Sequence, residues 1–559
     1  MSTAITADVA VVGAGPAGMA AALAAADLGC RVVLVDAGPA MGGQIYRAPA
    51  SGGAASGLGA ASAGMPRRLR RAATHPGIHH LPGTVVWHAT VPDRAPGTSG
   101  ASGTGGEAGA GGEAGAGGKA GAGGEAEAGR QTQAGGKTRA GEETGADGQT
   151  EAAGEARTRE AQAGGETPAG EAGFVLWLAD AAGRAAAANA GPDLLRACAV
   201  VIATGASEVT LPFPGWDLPG VTTAGAAQAL LKAQGVVAGH RVLVAGSGPL
   251  LLPTAAALTT AGVRVRAVLE ANPAGPAAAR AALLAPFTEK VAEAAGYARV
   301  LARHRVPVLP GRAVTACHGD GRVRRATISR LTRDWRPVPG SQREVAVDAV
   351  HASFGFCPAL ELSRLLGCAD LPQPERPAAA VWHDEDQGTS VPGVFAAGET
   401  TGVAGAEVAE LEGYIAGAAA ARSAGRITTG PFVKKTARVR AGLVRARRFA
   451  AALDGLYPWQ AGWLSWPEPE TVVCRCEEVR WAAIGAAVAD GARDVRAVRG
   501  VTRCGMGYCQ GRVCGPVLQQ AVAVAAGRSL SAVGDLQTRP LLTPVPLGEV
   551  AEMIGPAGA

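Results

Sequence analysis

Five cysteines crowd between residues 474 and 514, at Cys474, Cys476, Cys504, Cys509 and Cys514, while Cys30, Cys198, Cys317, Cys357 and Cys368 are scattered singly. The crowd reads V-C-R-C-E-E-V, then T-R-C-G-M-G-Y, then C-Q-G-R-V-C, with 32 residues between Cys476 and Cys509. A C-x-C pair and a C-x4-C pair supply four thiolates, and two such pairs can close on two sulfide-bridged irons. Structural zinc also takes four cysteines, although its pairs usually enclose a gap of about two to four residues. Glycines 505, 507 and 511 would let backbone N–H groups point at the sulfurs. Single thiols beside one dense cluster fit a reducing compartment with a metal site, so a cytoplasmic location is expected.

A second chemistry is written in glycines. The apolar run Asp8–Val12 leads into G-A-G-P-A-G, an alanine-rich helical stretch and a second apolar run ending on Asp36. This is the strand, turn, helix and strand that receive an adenine dinucleotide. Gly13 allows the tight turn, Gly15 lets backbone approach a pyrophosphate, and Gly18 allows close helix packing. Asp36 is placed to accept hydrogen bonds from ribose hydroxyls. The pattern returns at Gly246 and Gly248, with a strand that ends at Glu270. There the third glycine position is Leu251, whose bulk is expected to hold the helix off the strand or crowd a pyrophosphate. Glu270 would suit the 2′-OH of NADH and repel the 2′-phosphate of NADPH. This second unit therefore holds a nicotinamide, another adenine nucleotide, or nothing.

These residues need several packed cores, and the chain is long enough to build them. Of 559 residues, 52 are basic and 47 acidic, a net charge of +5 that is too mild to argue for nucleic acid. From Pro92 to Gly173 there is no large apolar residue, so the stretch has nothing to bury against its ordering entropy. No run of apolar residues is long enough to span a membrane, and the first residues lack the pattern of a signal peptide. Two dinucleotide units in one chain are typical of flavoenzymes, so the expected order is an FAD-binding domain in three parts (1–94, 173–220 and 351–425), interrupted by a disordered insert at 95–172 and a second dinucleotide-binding domain at 221–350. A basic helical connector at 426–470 and a small cysteine-rich domain at 471–559 follow. Within the connector, Trp459, Trp463 and Trp466 are expected to pack between domains, and His79 and His80 to lie in a surface loop.

G-A-G-P-A-G with Asp36, A-T-G at 203–205 and A-G-E at 397–399 resemble the two-dinucleotide-domain flavoproteins that include thioredoxin reductase. The redox cysteine pair of the disulfide reductases has no counterpart here. G-G-Q-I-Y-R at 42–47, G-S-G-P-L-L-L at 246–252 and G-F-C-P-A-L-E-L at 355–362 look instead like the FAD-binding A or α subunits of opine oxidases, D-hydroxyproline dehydrogenases and hydrogen cyanide synthase. The resemblance implies an α/β fold with two Rossmann-like domains. It also implies FAD contacts at Gly13, Gly15, Gly18, Asp36, Gly43, Gln44, Thr204, Gly205, Gly398 and Glu399, where Glu399 stands for the family's shorter aspartate. The cysteine region resembles the [2Fe–2S] domain of bacterioferritin-associated ferredoxin, which implies Cys474, Cys476, Cys509 and Cys514 as ligands and Cys504 as spare.

Flavin takes up a two-electron hydride, and a [2Fe–2S] centre passes electrons singly. Their union is a two-to-one-electron converter. The family pairs such a chain with a D-amino-acid-oxidase-type β subunit that binds an amino acid, opine or other secondary amine, and electrons leave to a downstream acceptor. The alternatives are a self-sufficient NAD(P)H-dependent flavin reductase and a non-enzymatic redox assembly or regulatory subunit.

Overall fold

The computed structural model describes residues 4–47, 65, 67–91, 173–180, 193–275, 282–373, 378–536, 539 and 541–554. The expected insert at 95–172 lies outside them. A first sheet is built from β1 (Ala4–Val12), β2 (Val32–Asp36), β3 (Ile78–Pro82), β4 (Thr84–Thr90), β5 (Phe174–Asp180) and β6 (Leu194–Ile202), in the order β3-β2-β1-β6-β5-β4. β1 runs parallel to β2 and β6, and the strand Val394–Ala396 runs parallel to the end of β6. β1 from Ala7 onward and all of β2 are buried, which explains their unbroken apolar runs: a central parallel strand is covered on both faces. β4 and β5 pair antiparallel, so the long insert joins the two strands of a hairpin.

One face of this sheet is closed by α1 (Pro16–Ala26) and the helix Ala406–Ser423. Their backbones nearly touch. A Cβ on Gly413 would stand 2.1 Å from the Ala17 carbonyl oxygen, and one on Gly417 2.1 Å from that of Ala21. Small residues at the crossing allow an approach that larger ones would forbid, which accounts for the alanine richness of both helices.

The second dinucleotide unit forms a five-stranded parallel sheet in the order Val308–Pro310, Arg264–Glu270, Arg241–Gly246, Ala349–Ser353, Val221–Thr223. The fold class is therefore α/β with two Rossmann-like units. Beyond them the basic connector is one helix, Thr429–Asp454. It lays Leu443 and Ala446 against Ile415. Arg440, Arg445 and Arg447 pair with Asp386, Glu289 and Glu412, while Lys434, Lys435 and Arg438 are exposed.

The tryptophan connector is a seam. Trp463 and Trp466 are buried, and the Trp459 and Trp335 rings lie 5.8 Å apart. The Trp463 indole donates to Gln520 Oε1 at 2.7 Å, and that of Trp466 donates to the Trp335 carbonyl at 2.8 Å. The second sheet and the cysteine-rich domain thereby share one continuous apolar core, from Leu243 and Val350 to Val495 and Leu518. One expectation needs correction: His79 and His80 lie on strand β3, not in a loop. Parallel pairing with β2 placed them there, and two adjacent histidines carry no such signal.

Candidate functional site

The glycine turn after β1 is held by steric necessity. A Cβ on Gly13 would stand 2.2 Å from the Ala203 carbonyl oxygen, and one on Gly18 1.7 Å from that of Gly13. Gly15 differs: a Cβ there would meet nothing within 4 Å, so its missing side chain leaves an open cradle. The N-terminus of α1 faces this turn with no side-chain cap and no acidic residue in its first turn, which leaves its N–H groups and dipole for an anion. Asp36 ends β2; its Oδ1 accepts from Gly38 N at 3.2 Å, whereas its Oδ2 is buried without a hydrogen-bond partner. Burial raises the Asp36 carboxyl above its ordinary range. His80 Nε2, also buried without a partner, lies 4.0 Å from Asp36 Oδ2.

Segment 42–47 lies across the same turn. Gly42 N donates to the Ala14 carbonyl at 2.8 Å, and a Cβ on Gly43 would stand 2.8 Å from Gly15 Cα. The exposed Gln44 follows. Two long-range bonds pin the segment: Tyr46 Oη donates to Glu410 Oε1 at 2.7 Å, and the buried Lys232 Nζ donates to the Ile45 carbonyl at 3.3 Å. Thr204 and Gly205 follow β6, with Thr204 Oγ1 donating to the Ala359 carbonyl at 3.2 Å. Gly398 sits on α1, where its Cβ would stand 2.8 Å from that of Ala17, and its N–H donates to Glu412 Oε2 at 2.9 Å. Beside it, burial pushes the Glu399 carboxyl up to about 6. An open cradle at a helix N-terminus with an orphaned carboxylate oxygen at the strand end suits the pyrophosphate and ribose of FAD.

The second turn is arranged differently. A Cβ on Gly246 would stand 1.7 Å from the Ser353 carbonyl oxygen, as at Gly13. Yet α1 starts at Pro16, three residues past Gly13, while the corresponding helix starts at Leu251, five past Gly246. Leu251, the first residue of that helix, is buried in the core with Val244 and Val268. Glu270 is already engaged. Its Oε2 accepts from Gly248 N at 3.1 Å, and its Oε1 accepts from Asn272 N at 3.0 Å and Asn272 Nδ2 at 3.1 Å. Burial outweighs these bonds and pushes its carboxyl up to about 7.

That shift predicts a pH signature. The folded chain holds the Glu270 proton more tightly than the unfolded one. This contribution is fully present below the ordinary carboxyl value near 4.5 and is lost as pH rises through about 7. Glu270→Gln should therefore gain stability relative to the parent between pH 5 and pH 8, by on the order of 1–3 kcal/mol in urea titrations. An equal difference at both pH values would refute the assignment.

In the cysteine-rich domain, the Sγ atoms of Cys474, Cys504 and Cys514 lie within 4.8 Å of one another, all three residues buried. The Cys504 and Cys514 side chains, with Gly505 N donating to its Sγ at 3.5 Å, hold the Cys474 thiol well below the usual range. Cys504 and Cys514 are pushed up by the same sharing. Cys476, exposed, and Cys509, half-buried, hydrogen-bond to each other. The buried trio and the neighbouring Cys476–Cys509 pair together offer five soft donors, enough for a four-thiolate iron–sulfur centre with one thiol to spare.

Spacing gave no hint of what closes this loop. A Cβ on Gly505 or Gly511 would stand 2.3 or 2.8 Å from Leu536 Cδ1, and the Arg539 guanidinium donates to the carbonyls of Gly505 and Gln510. The same tail reaches the first domain. Asp535 accepts from Arg364 Nη1 and Nη2 at 2.6 and 2.8 Å, and Leu542 N donates to the Trp87 carbonyl at 2.9 Å. Among the described residues, no helix is long and apolar enough to cross a membrane.

Known proteins resemble the chain in the same three places. The family of FAD dependent oxidoreductases matches residues 8–95, that of pyridine nucleotide-disulphide oxidoreductases residues 180–425, and the BFD-like [2Fe-2S] binding domain residues 472–523. The opine oxidase A subunit of Agrobacterium tumefaciens (strain Ach5) is 34% identical over 368 residues, covering 64% of this chain and 69% of that protein. Hydrogen cyanide synthase subunit HcnB of Pseudomonas aeruginosa is 31% identical over 350 residues, covering 62% and 74%. The crystal structure of L-proline dehydrogenase from P. horikoshii superimposes with a TM-score of 0.58 over 98% of this chain and 80% of that one. At 16% identity, that likeness concerns the fold.

Proposed function

The chain belongs to the family of the opine oxidase A subunits and of hydrogen cyanide synthase subunit HcnB, FAD-dependent oxidoreductases, and from that premise we propose that it is the electron-transferring α subunit of a heteromeric dehydrogenase for an amino acid, opine or other secondary amine. FAD is held by Gly13, Gly15, Gly18, Asp36, Gly43, Gln44, Thr204, Gly205, Gly398 and Glu399, and the [2Fe–2S] cluster by Cys474, Cys476, Cys509 and Cys514. The two groups supply hydride uptake and single-electron transfer when bound. The protein's part is to hold them at fixed separation. The observation that carries the reading is the shared apolar core with its tail bridge from Asp535 to Arg364, which ties the cysteine domain to both dinucleotide units. Glu412 orients the turn at Gly398 through its backbone N–H and Thr401 Oγ1, and is itself held by Arg447.

The substrate site belongs to a partner of the D-amino-acid-oxidase type, in keeping with relatives that are named as subunits. The Glu270 carboxylate, which accepts hydrogen bonds from Gly248 N and Asn272, supports entry of electrons from that partner rather than from NADH. Anaerobic NADH, added to the purified chain in tenfold excess, should leave flavin and iron–sulfur bands oxidised. A co-expressed partner with its amine substrate should bleach both. Stoichiometric bleaching by NADH would make the chain a reductase in its own right.

A further inference from the structure

We infer that the face formed by Val501, Met506 and Tyr508 is where an acidic, one-electron-accepting protein docks to collect electrons from the cysteine site, an inference that rests on the iron–sulfur reading above. Three apolar side chains stand in solvent there: Val501 is 71% exposed, Met506 37% and Tyr508 76%. Large exposed apolar groups gathered in one short segment mark an interaction surface rather than a solvated loop.

The patch lies against the cysteines. Gly507, between Met506 and Tyr508, is so close to Cys476 that a Cβ on it would stand 2.1 Å from the cysteine's own. Cys476 is the one exposed cysteine of the five, so this is the edge at which the sulfurs come nearest to solvent. Electron transfer falls steeply with distance, and a carrier seated here lies beside the exposed Cys476.

Charge selects the carrier. Residues 493–512 hold Arg493, Arg496, Arg499, Arg503 and Arg512 against Asp494 alone. Asp494 caps the helix Val495–Thr502 by accepting from Ala497 N at 2.8 Å, so its charge is spent at a helix N-terminus. That helix buries Val495 and Val498 and leaves Arg496 exposed. Arg503 is exposed but paired with Glu477 at 2.9 Å, Arg512 is paired with Glu361 at 2.9 Å, and Glu478 and Asp490 are further exposed acids nearby in sequence. Arg493, Arg496 and Arg499 remain against Glu478 and Asp490, a small basic excess on the same stretch of chain as the exposed apolar groups. It fits a partner whose redox group lies in an apolar spot ringed by carboxylates.

Cytochrome b5, an acidic haem protein, serves as the probe for the full chain reduced with dithionite under argon. Each encounter moves one electron from the reduced cluster to ferric haem, and no bond or proton changes hands. Two readouts are taken: the second-order transfer rate, and the affinity of the oxidised proteins by sedimentation. Both should fall at least about tenfold between 20 and 200 mM salt. Arg496→Glu with Tyr508→Ala should lower both about tenfold at low salt while flavin and iron–sulfur spectra stay unchanged. Basic cytochrome c should show no such salt effect. Intact spectra with unchanged rate and affinity in the variant would overturn the docking face alone, as would self-association of the chain through this face. A chain that binds no iron overturns the cluster reading and the docking face with it.

Discussion

Cys514→Ser is expected to strip the iron–sulfur absorption from the purified chain while leaving the flavin bands in place. Cys514 is buried, sits in the sulfur trio with Cys474 and Cys504, and immediately precedes the helix Gly515–Ala526. Serine keeps the shape but offers a hard, protonated oxygen where a soft thiolate is required. Iron should fall from about two per chain to near zero, as measured by colorimetric assay, with the FAD-to-protein ratio unaltered. Cys474→Ser should behave alike. Cys504→Ala is the discriminating partner experiment. The residue is fully buried within the trio, so its truncation should cost about 1 kcal/mol of stability. If Cys474, Cys476, Cys509 and Cys514 are the ligands, the visible spectrum survives that loss. Loss of the bands in Cys504→Ala with their survival in Cys476→Ala would transfer ligation to the buried trio.

The second large effect lies at the flavin cradle. Gly15→Val should give a folded chain that no longer retains FAD. Its φ of −74° is open to any residue, and a Cβ there meets nothing within 4 Å, so the fold loses little. The added side chain fills the space beside the N-terminus of α1 in which a pyrophosphate would lie. A loss of about 100-fold in affinity, or about 2.7 kcal/mol, is expected from flavin content after gel filtration. Gly18→Val provides the contrast. Its Cβ would stand 1.7 Å from the Gly13 carbonyl oxygen, so it should fail to fold rather than merely lose cofactor. Stoichiometric FAD in Gly15→Val would displace the cradle from this turn.

How much of this was legible in the sequence depends on how local each signal is. Gly13, Gly15, Gly18 and Asp36 lie within one strand–turn–helix–strand unit, and periodicity with glycine spacing was enough to place them. The shared tryptophan seam was legible too, because three tryptophans in a short connector need a core to enter. The engagement of Glu270 was not, since spacing puts a carboxylate at a strand end without saying whether the turn has already claimed it. Nor was the proximity of Cys504 to Cys474 and Cys514, which depends on the loop from Arg503 to Gly511 folding back over Cys476. Leu536, Arg539 and Asp535 left no pattern at all. Their roles arise from contacts with residues far off in the chain, among them Arg364, and no periodicity encodes such contacts.

The central claim is that one chain carries FAD and a [2Fe–2S] cluster together. It is tested most directly by metal and flavin analysis of the anaerobically purified full chain, with an electron paramagnetic resonance spectrum after dithionite reduction. The account predicts about two irons and one FAD per chain, and a low-temperature signal of one unpaired electron per reduced cluster. One zinc per chain, no iron and a silent spectrum would contradict it.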